Sequence, residues 1–313
     1  AAPLHTACLQ GMLDFYNPRY VITLSILTVV LGAVIFSFAN SWELVCVGQF
    51  VMGVGGAFGY PALGFYTRHA FGIKKFTLMF GMAGFVGAMF AALTQGAVAS
   101  LVNDYDWRTI TLGLAATGGA LGLLMYFILE ERINDDAAPE GSFFATLFSD
   151  LKAICSMPRI WGCALVGGIG FSCYLAMGVV WGVQLFMEQG YEATKAGQLG
   201  SLMWIGGALG APAIALLHMR MNSYKYPTII YALGADACIL GLCLTTNDSE
   251  IISAGLILGT GFFGAGATTL GFGYSMQLCA IDLAGTVTAF INFMLFIISG
   301  VMMVIPGKLV DAG

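Results

Sequence analysis

The sequence predicts an all-α, polytopic transmembrane helical bundle, on three observations. Of its 313 residues 58% are hydrophobic and only 9% charged, against about 25% charged in an ordinary soluble domain, so water is not the solvent for most of the chain. Charge-free stretches recur at the length a helix needs to cross hydrocarbon, about 20 residues. Glycine is abundant, at 43 residues, beside 16 Met and 23 Phe, the mix expected where helices pack closely inside lipid. The lipid bilayer is therefore the first partner. The formal charge of -5 comes with no basic cluster able to neutralise a row of phosphates, so no nucleic acid is expected as a partner.

Eight charge-free stretches cover 20–42, 44–67, 76–103, 109–129, 160–187, 196–219, 251–281 and 283–307. A ninth, 226–247, is interrupted only by Asp236, and a short uncharged piece, 1–13, leads into Asp14. The expectation is nine full spans plus a partial one. Alternating spans sort the loops onto two sides, and the side richer in Lys and Arg faces the cytoplasm. One side holds Arg19, Arg68, Lys74, Lys75, Arg132, Lys152, Arg159, Arg220 and Lys225, whereas the other holds only Arg108, Lys195 and Lys308. The first side is read as cytoplasmic.

The longest break, Glu130 to Arg159, carries six acids around Pro139 and Gly141 and reads as a solvated linker. This gives an N-terminal transmembrane half at 1–129, a cytoplasmic central linker at 130–158 and a C-terminal transmembrane half at 159–313. Four full spans and the stump precede the linker and five follow it, so the chain is expected to be a piece of a longer two-half protein. Cys46, Cys163, Cys173, Cys238 and Cys243 fall inside apolar runs, with no CxxC pair and only three His in the chain. They read as small buried hydrophobes and not as a disulfide framework or metal ligands. Residues 1–13 lack the basic start of a cleavable signal peptide.

Five motifs in order around the linker resemble the major facilitator superfamily of secondary transporters, whose twelve helices form two halves of six. The resemblance covers essentially the whole chain and makes the stump the end of helix two and the nine spans helices three to eleven. The turn from Gly11 to Arg19 is similar to the family loop GxxxDRxGRR, with Asp14 and Arg19 at its acidic and final basic positions, Gln10 at its first Gly and Phe15 at its first Arg. An acid and a base on such a turn can latch helix ends and bias one of two rocking states. Gln49 to Ala57 resembles RxxxGxGxG of helix four, with Gln49 in place of the arginine. Gly81, Gly84 and Gly87 recur on the next span, and Trp107-Arg108 resembles a pair that opens helix six. Trp181 to Phe186 looks like the WGxxFL segment of helix seven in bacterial permeases, and Ala284 to Phe293 resembles the start of their helix eleven. After helix eight the second copy of the loop motif should carry an Asp, but the chain reads Leu216-Leu217-His218-Met219-Arg220, so a charge latch there is altered or absent.

Polar side chains at membrane depth are costly and face a bundle interior or a wet cavity, which makes them the site candidates. Gln49, Gly53, Gly56 and Tyr60 form one stripe at helical spacing, as do Tyr174, Met177, Trp181 and Gln184. Thr288, Asn292 and Ser299 share a third face, and Gln95, Gln198, Ser201 and Thr268 stand as isolated polar groups. The expected solute-binding set is Gln49, Tyr60, Tyr174, Trp181, Gln184 and Asn292, rings for contact area and amides for orientation. Trp181 also reads as an interfacial anchor near Glu188, and Ser201 and Thr268 as bonding their own helix carbonyls. Asp14, Arg19 and Asp236 are the coupling or gating candidates. As the acid nearest the middle of a span, Asp236 is the default proton or cation site; the resemblance places helix nine at the periphery, where the carboxyl would instead be buried neutral. Small residues four apart, Gly206 with Gly210, Gly118 with Gly122 and Gly255 with Gly259, predict close helix contacts.

The resemblance thus implies a monomeric permease of a bacterial inner membrane that moves a small-molecule solute by rocking two halves about a midplane site, with protons or another ion as coupling partner. With no buried Lys or Arg pair in these spans, a neutral, zwitterionic or weakly charged solute is favoured. A ten-helix drug or metabolite transporter would lack the central linker. A membrane receptor that binds without transporting is the alternative that residues alone leave open. No HExxH, GxSxG or clustered acids near a span end occur, so an enzyme is not expected, and neither cofactor nor metal is implied.

Overall fold

The computed structural model describes residues 18–129, 143–244, 249–280 and 283–312. Among them the regular structure is helical throughout: α1 (Pro18–Ser37), α2 (Trp42–Gly56), α3 (Gly59–Leu101), α4 (Trp107–Ile128), α5 (Phe143–Cys155), α6 (Pro158–Leu175), a π-helical stretch (Ala176–Trp181), α7 (Gly182–Glu188), α8 (Ala193–Met221), α9 (Lys225–Leu244), α10 (Glu250–Gln277) and α11 (Ala284–Ala312). Eight stretches are long and apolar enough to cross a membrane, and one of these, Trp42–Leu101, runs for 60 residues. That stretch holds two of the expected spans. Their division falls at Gly72, whose φ of 66° and ψ of 177° interrupt α3; a left-handed φ there suits a residue without Cβ. The stump 1–13 and Asp14 lie outside the described residues.

Local chemistry explains the helix ends. Ser41, in extended conformation, accepts the Leu44 N–H at 3.3 Å with its hydroxyl and caps α2, while Glu43 complements the positive end of the helix. Pro158 opens α6, where its missing N–H costs nothing. α8 ends on Asn222, left-handed at φ 46°, a common helix stop that turns the chain toward α9. Within the expected linker, residues 143–155 form α5, whose Ile154 is fully buried while Phe148 and Lys152 are exposed. Ser37, Thr117, Ser172, Thr260, Thr288 and Ser299 all donate to a carbonyl four residues earlier, which satisfies each hydroxyl without a partner helix.

The chain divides by contact into two compact units, taken here over their described residues. One comprises 1–69, 101–157 and 279–293, the other 70–100, 158–278 and 294–313, so α3 and α11 each contribute to both. In the first unit α1 packs against α2 and α4. Gly48 and Gly55 of α2 admit the backbone of Phe36 and of Ser25, where a Cβ would come within 2.8 and 2.6 Å, and Gly122 of α4 admits Ile26 at 2.9 Å. Val21, Phe58, Ala62 and Phe65 close one end as an apolar cluster. The Trp107 ring stands edge-on to Phe36 at 5.3 Å, and Arg108 Nη2 donates to the Ala39 carbonyl at 2.9 Å.

The second unit is built on the crossing of α8 and α10. Gly206 lies against the Leu258 carbonyl, Gly210 against that of Phe262, and Gly261 against that of Met203; any side chain at these positions would strike rigid backbone. Tyr231 stacks on Phe262 at 5.5 Å and fixes α9 to the same pair. Of the glycine pairs expected to mediate contact, Gly206 with Gly210 and Gly118 with Gly122 meet neighbouring helices, and Gly259 meets Cys238, but Gly255 has open space around it.

Candidate functional site

The second unit gathers amide and aromatic side chains from three helices. Tyr174, on the last turn of α6, is buried and meets the Trp204 ring of α8 edge-on, centroids 5.1 Å apart at 80°. Both rings rest on glycine. The Tyr174 ring covers Gly207, and a Cβ at Gly178 would stand 3.0 Å from the Trp204 indole. Trp204 Nε1 donates to Oε1 of Gln95, on α3. Gln95 Nε2 stands 3.3 Å from the position a Cβ of Gly200 would take. Both Gln95 and Trp204 are half-buried, so the pair joins helices while part of its polar surface stays open.

The backbone beside this cluster is irregular. Through Ala176–Trp181 the helix widens, and the Gly182 N–H reaches Met177 O five residues back. Such π segments are costly and recur at functional positions. Here the segment separates buried Tyr174 from exposed Gln184, so the expected stripe of Tyr174, Met177, Trp181 and Gln184 does not run along one straight face. The half-buried Trp181 donates Nε1 to Met303 O of α11 at 3.2 Å, and a Cβ at Gly307 would lie 3.5 Å from its ring. It therefore ties the π segment to α11. Ser201 donates to Gln198 O at 2.6 Å within its own helix, and Thr268 to Gly167 O at 3.4 Å across to α6.

The remaining candidates are dispersed. Gln49 and Tyr60 are exposed, and Gly53, Gly56 and Gly59 beside them have nothing within 4 Å of a Cβ position; the stripe looks away from the α1 contact. Asn292 on α11 is 2% exposed, with its Oδ1 buried and lacking a hydrogen-bond partner among the described residues. Arg19 donates Nε to the Tyr126 carbonyl at 2.6 Å and lays its guanidinium 4.1 Å over that ring, so it binds the start of α1 to the end of α4. Asp236 lies on the exposed face of α9. Among the described residues no group of three or more His, Cys, Asp or Glu could hold a metal. Sequence reasoning missed Trp204, which reads as one more apolar residue, and left Gln95 isolated because its partner lies 109 residues away.

The Major Facilitator Superfamily model matches residues 7–303. The chain belongs to that superfamily. Among solved superfamily-type folds, it resembles the E. coli fucose:proton symporter FucP, with a TM-score of 0.67 and 18% identity over 98% of this chain and 81% of that one. A second FucP structure, in the outward conformation, gives a TM-score of 0.69 at 18% identity, covering 100% and 81% of the two chains. The human organic anion transporter TETRAN gives 0.62 at 14% identity, covering 95% and 73%. In sequence, the superfamily chain is 27% identical over 160 residues to a gallate transporter of Pseudomonas putida, 51% of this chain and 33% of that one. It thus matches about a third of the length of that relative.

Proposed function

We propose that the chain is the body of a secondary active transporter that carries a small organic solute by alternating access, its halves 1–129 and 159–313 rocking about a midplane site. The observation that carries this reading, given the family, is the half-buried Gln95–Trp204–Tyr174 cluster beside a π segment. Amide and indole groups kept at membrane depth are retained where they meet something polar. The rings suit the flat or apolar face of a solute and the amides its hydroxyl or carboxyl groups. A neutral, zwitterionic or weakly charged organic molecule fits that lining, and FucP and the gallate transporter are named for solutes of comparable size. Trp181 and Gln184 extend the proposed lining within the second unit, and Gln49, Tyr60 and Asn292 are the solute-binding candidates of the first. Proton coupling, with Asp14, Arg19 or Asp236 involved, a monomeric state and a bacterial inner-membrane location belong to the same proposal.

The test is uptake by the full-length protein in proteoliposomes, with labelled fucose, gallate and related aromatic acids, with and without an imposed pH gradient. Flux of at least one solute is expected, reduced severalfold by Gln95→Leu and by Trp204→Phe, which keep the bulk but remove the amide and the N–H. Saturable binding without flux would replace the transporter by a receptor. Unchanged flux in both variants would remove the cluster from the solute path.

A further inference from the structure

One polar side chain of the second unit is bonded more densely than any sequence motif foretold. Tyr224 sits in the turn between α8 and α9, delivered there by left-handed Asn222. Its hydroxyl accepts from Gln277 Nε2 of α10 at 2.8 Å, stands 3.4 Å from Thr77 Oγ1 of α3, and donates to Gly273 O at 3.4 Å. With Thr77 as donor, one phenol proton and two lone pairs serve all three contacts. The ring packs against His218, centroids 3.8 Å apart, and Tyr274, 4.9 Å apart. Burial pushes the phenol pKa up, which keeps the O–H protonated and able to donate.

The surrounding packing has the same purpose, bringing the start of the second limb of α3 close to α10 and α8. Gly273 has no Cβ where Thr77 presses in, and a Cβ at Gly81 would come within 2.8 Å of the Ala211 carbonyl. Beneath the hydroxyl network Phe76, Phe80 and Phe272 form a buried aromatic floor, at 5.3 and 4.9 Å between successive centroids. The three hydroxyl and amide groups come from both halves of the sequence: Thr77 precedes the linker, and Tyr224 and Gln277 follow it. They lie at the end of the helices where Lys74, Lys75, Arg220 and Lys225 gather, the end read as cytoplasmic. The loop carrying Tyr224 is also the one whose expected acid is missing.

We propose that Tyr224 is an uncharged gating latch, its phenol holding α10 to the start of α3's second limb in the state this structure represents, in place of a charge pair. The Thr77–Tyr224 contact joins residues from opposite sides of the linker, although both belong to the second unit, so on the transport reading proposed above, on which the latch rests, rocking of 1–129 against 159–313 breaks that contact in each cycle. Its members are positioning residues. Three hydrogen bonds of the neutral kind, together with ring packing, suit a contact that opens repeatedly, since each contributes little net free energy.

The test is a distance measurement on the full-length protein in proteoliposomes, with spin labels at Lys75→Cys and Tyr226→Cys, both exposed, and exposed native cysteines replaced. The parent should show one dominant short distance. Tyr224→Phe, which keeps the ring and loses the hydroxyl, should raise the separated population about three- to tenfold, and Gln277→Met should act in the same direction. Unchanged distributions in both variants, with folding intact by size-exclusion profile, overturn the latch. The readout needs no solute. Separation in Tyr224→Phe without flux of any solute in the parent would keep the latch and sink transport, whereas flux with unchanged distances would do the reverse.

Discussion

Glycines recur at helical spacing on α2 and on α8, and the two helices use them in opposite ways. On α8, Gly206 and Gly210 press against carbonyls of α10, and Gly261 returns the contact from the other side. On α2 only Gly48 and Gly55 meet α1, while Gly53 and Gly56, on the stripe shared with Gln49, face open space. The difference shows that small-residue spacing states where a helix can be approached, and the neighbour decides whether it is. In α8 the missing side chains are replaced by another backbone; on the exposed face of α2 they are replaced by nothing among the described residues, which is the condition a solute path or lipid contact requires.

The comparison breaks first at the crossing. Gly206→Ala and Gly261→Ala should each cost about 1–3 kcal/mol through overpacking against backbone that cannot yield, lowering the thermal midpoint of the purified protein by about 2–4 °C per kcal/mol. Gly53→Ala and Gly56→Ala should leave stability unchanged or raise it by up to about 1 kcal/mol through helix propensity. Equal losses at all four positions would mean the α2 stripe is packed in the folded protein.

A second break targets the first unit through Arg19, which with Arg108 ties distant parts of that unit together. Arg19→Ala should cost about 1–2 kcal/mol, from a charged donor on the Tyr126 carbonyl and a cation–π contact, and Arg19→Lys should recover only part of it because the planar fork is lost. Thermal melts of the two variants decide this. Trp204→Phe should cost less, about 1 kcal/mol, because Gln95 is half-buried and water can replace the indole N–H; a loss as large as that at Gly206 would make the pair structural. The smallest effect belongs to Lys195 and Glu250, 2.6 Å apart and both about half-exposed. Lys195→Ala should shift stability by less than about 0.5 kcal/mol, and the shift should vanish in high salt.

Much of the fold was legible because the bilayer makes charge expensive: basic residues at 68, 74 and 75 announced the turn that Gly72 executes, and Asp104, Asp106 and Arg108 announced the one before α4. Amphipathic α5 was not read from the linker, since at 13 residues it is too short to span a membrane and the acids before it, with Asp150 inside it, mark the segment as solvated. The candidate site was legible only as polar residues at depth. Asn292 stood out for that reason, and its buried, unpartnered Oδ1 is a property no sequence pattern contains. Gln95 was visible but its partner was not, because a hydrogen bond across 109 residues leaves no local periodicity. Tyr224 lay in a loop judged by the acid it lacks, which drew attention to the missing charge and away from the phenol present.

The widened turn at Ala176–Trp181 also sets a rule for how this stretch can vary in length. A helix advances about 100° per residue, so deleting one residue inside the widened turn could restore regular winding while keeping Gln184 on its present side, whereas the same deletion in the middle of α6 would rotate everything beyond it by about 100°. Related chains that differ by one residue at this place should therefore align in space although their sequences slip, and those that differ by one residue elsewhere along α6 should not.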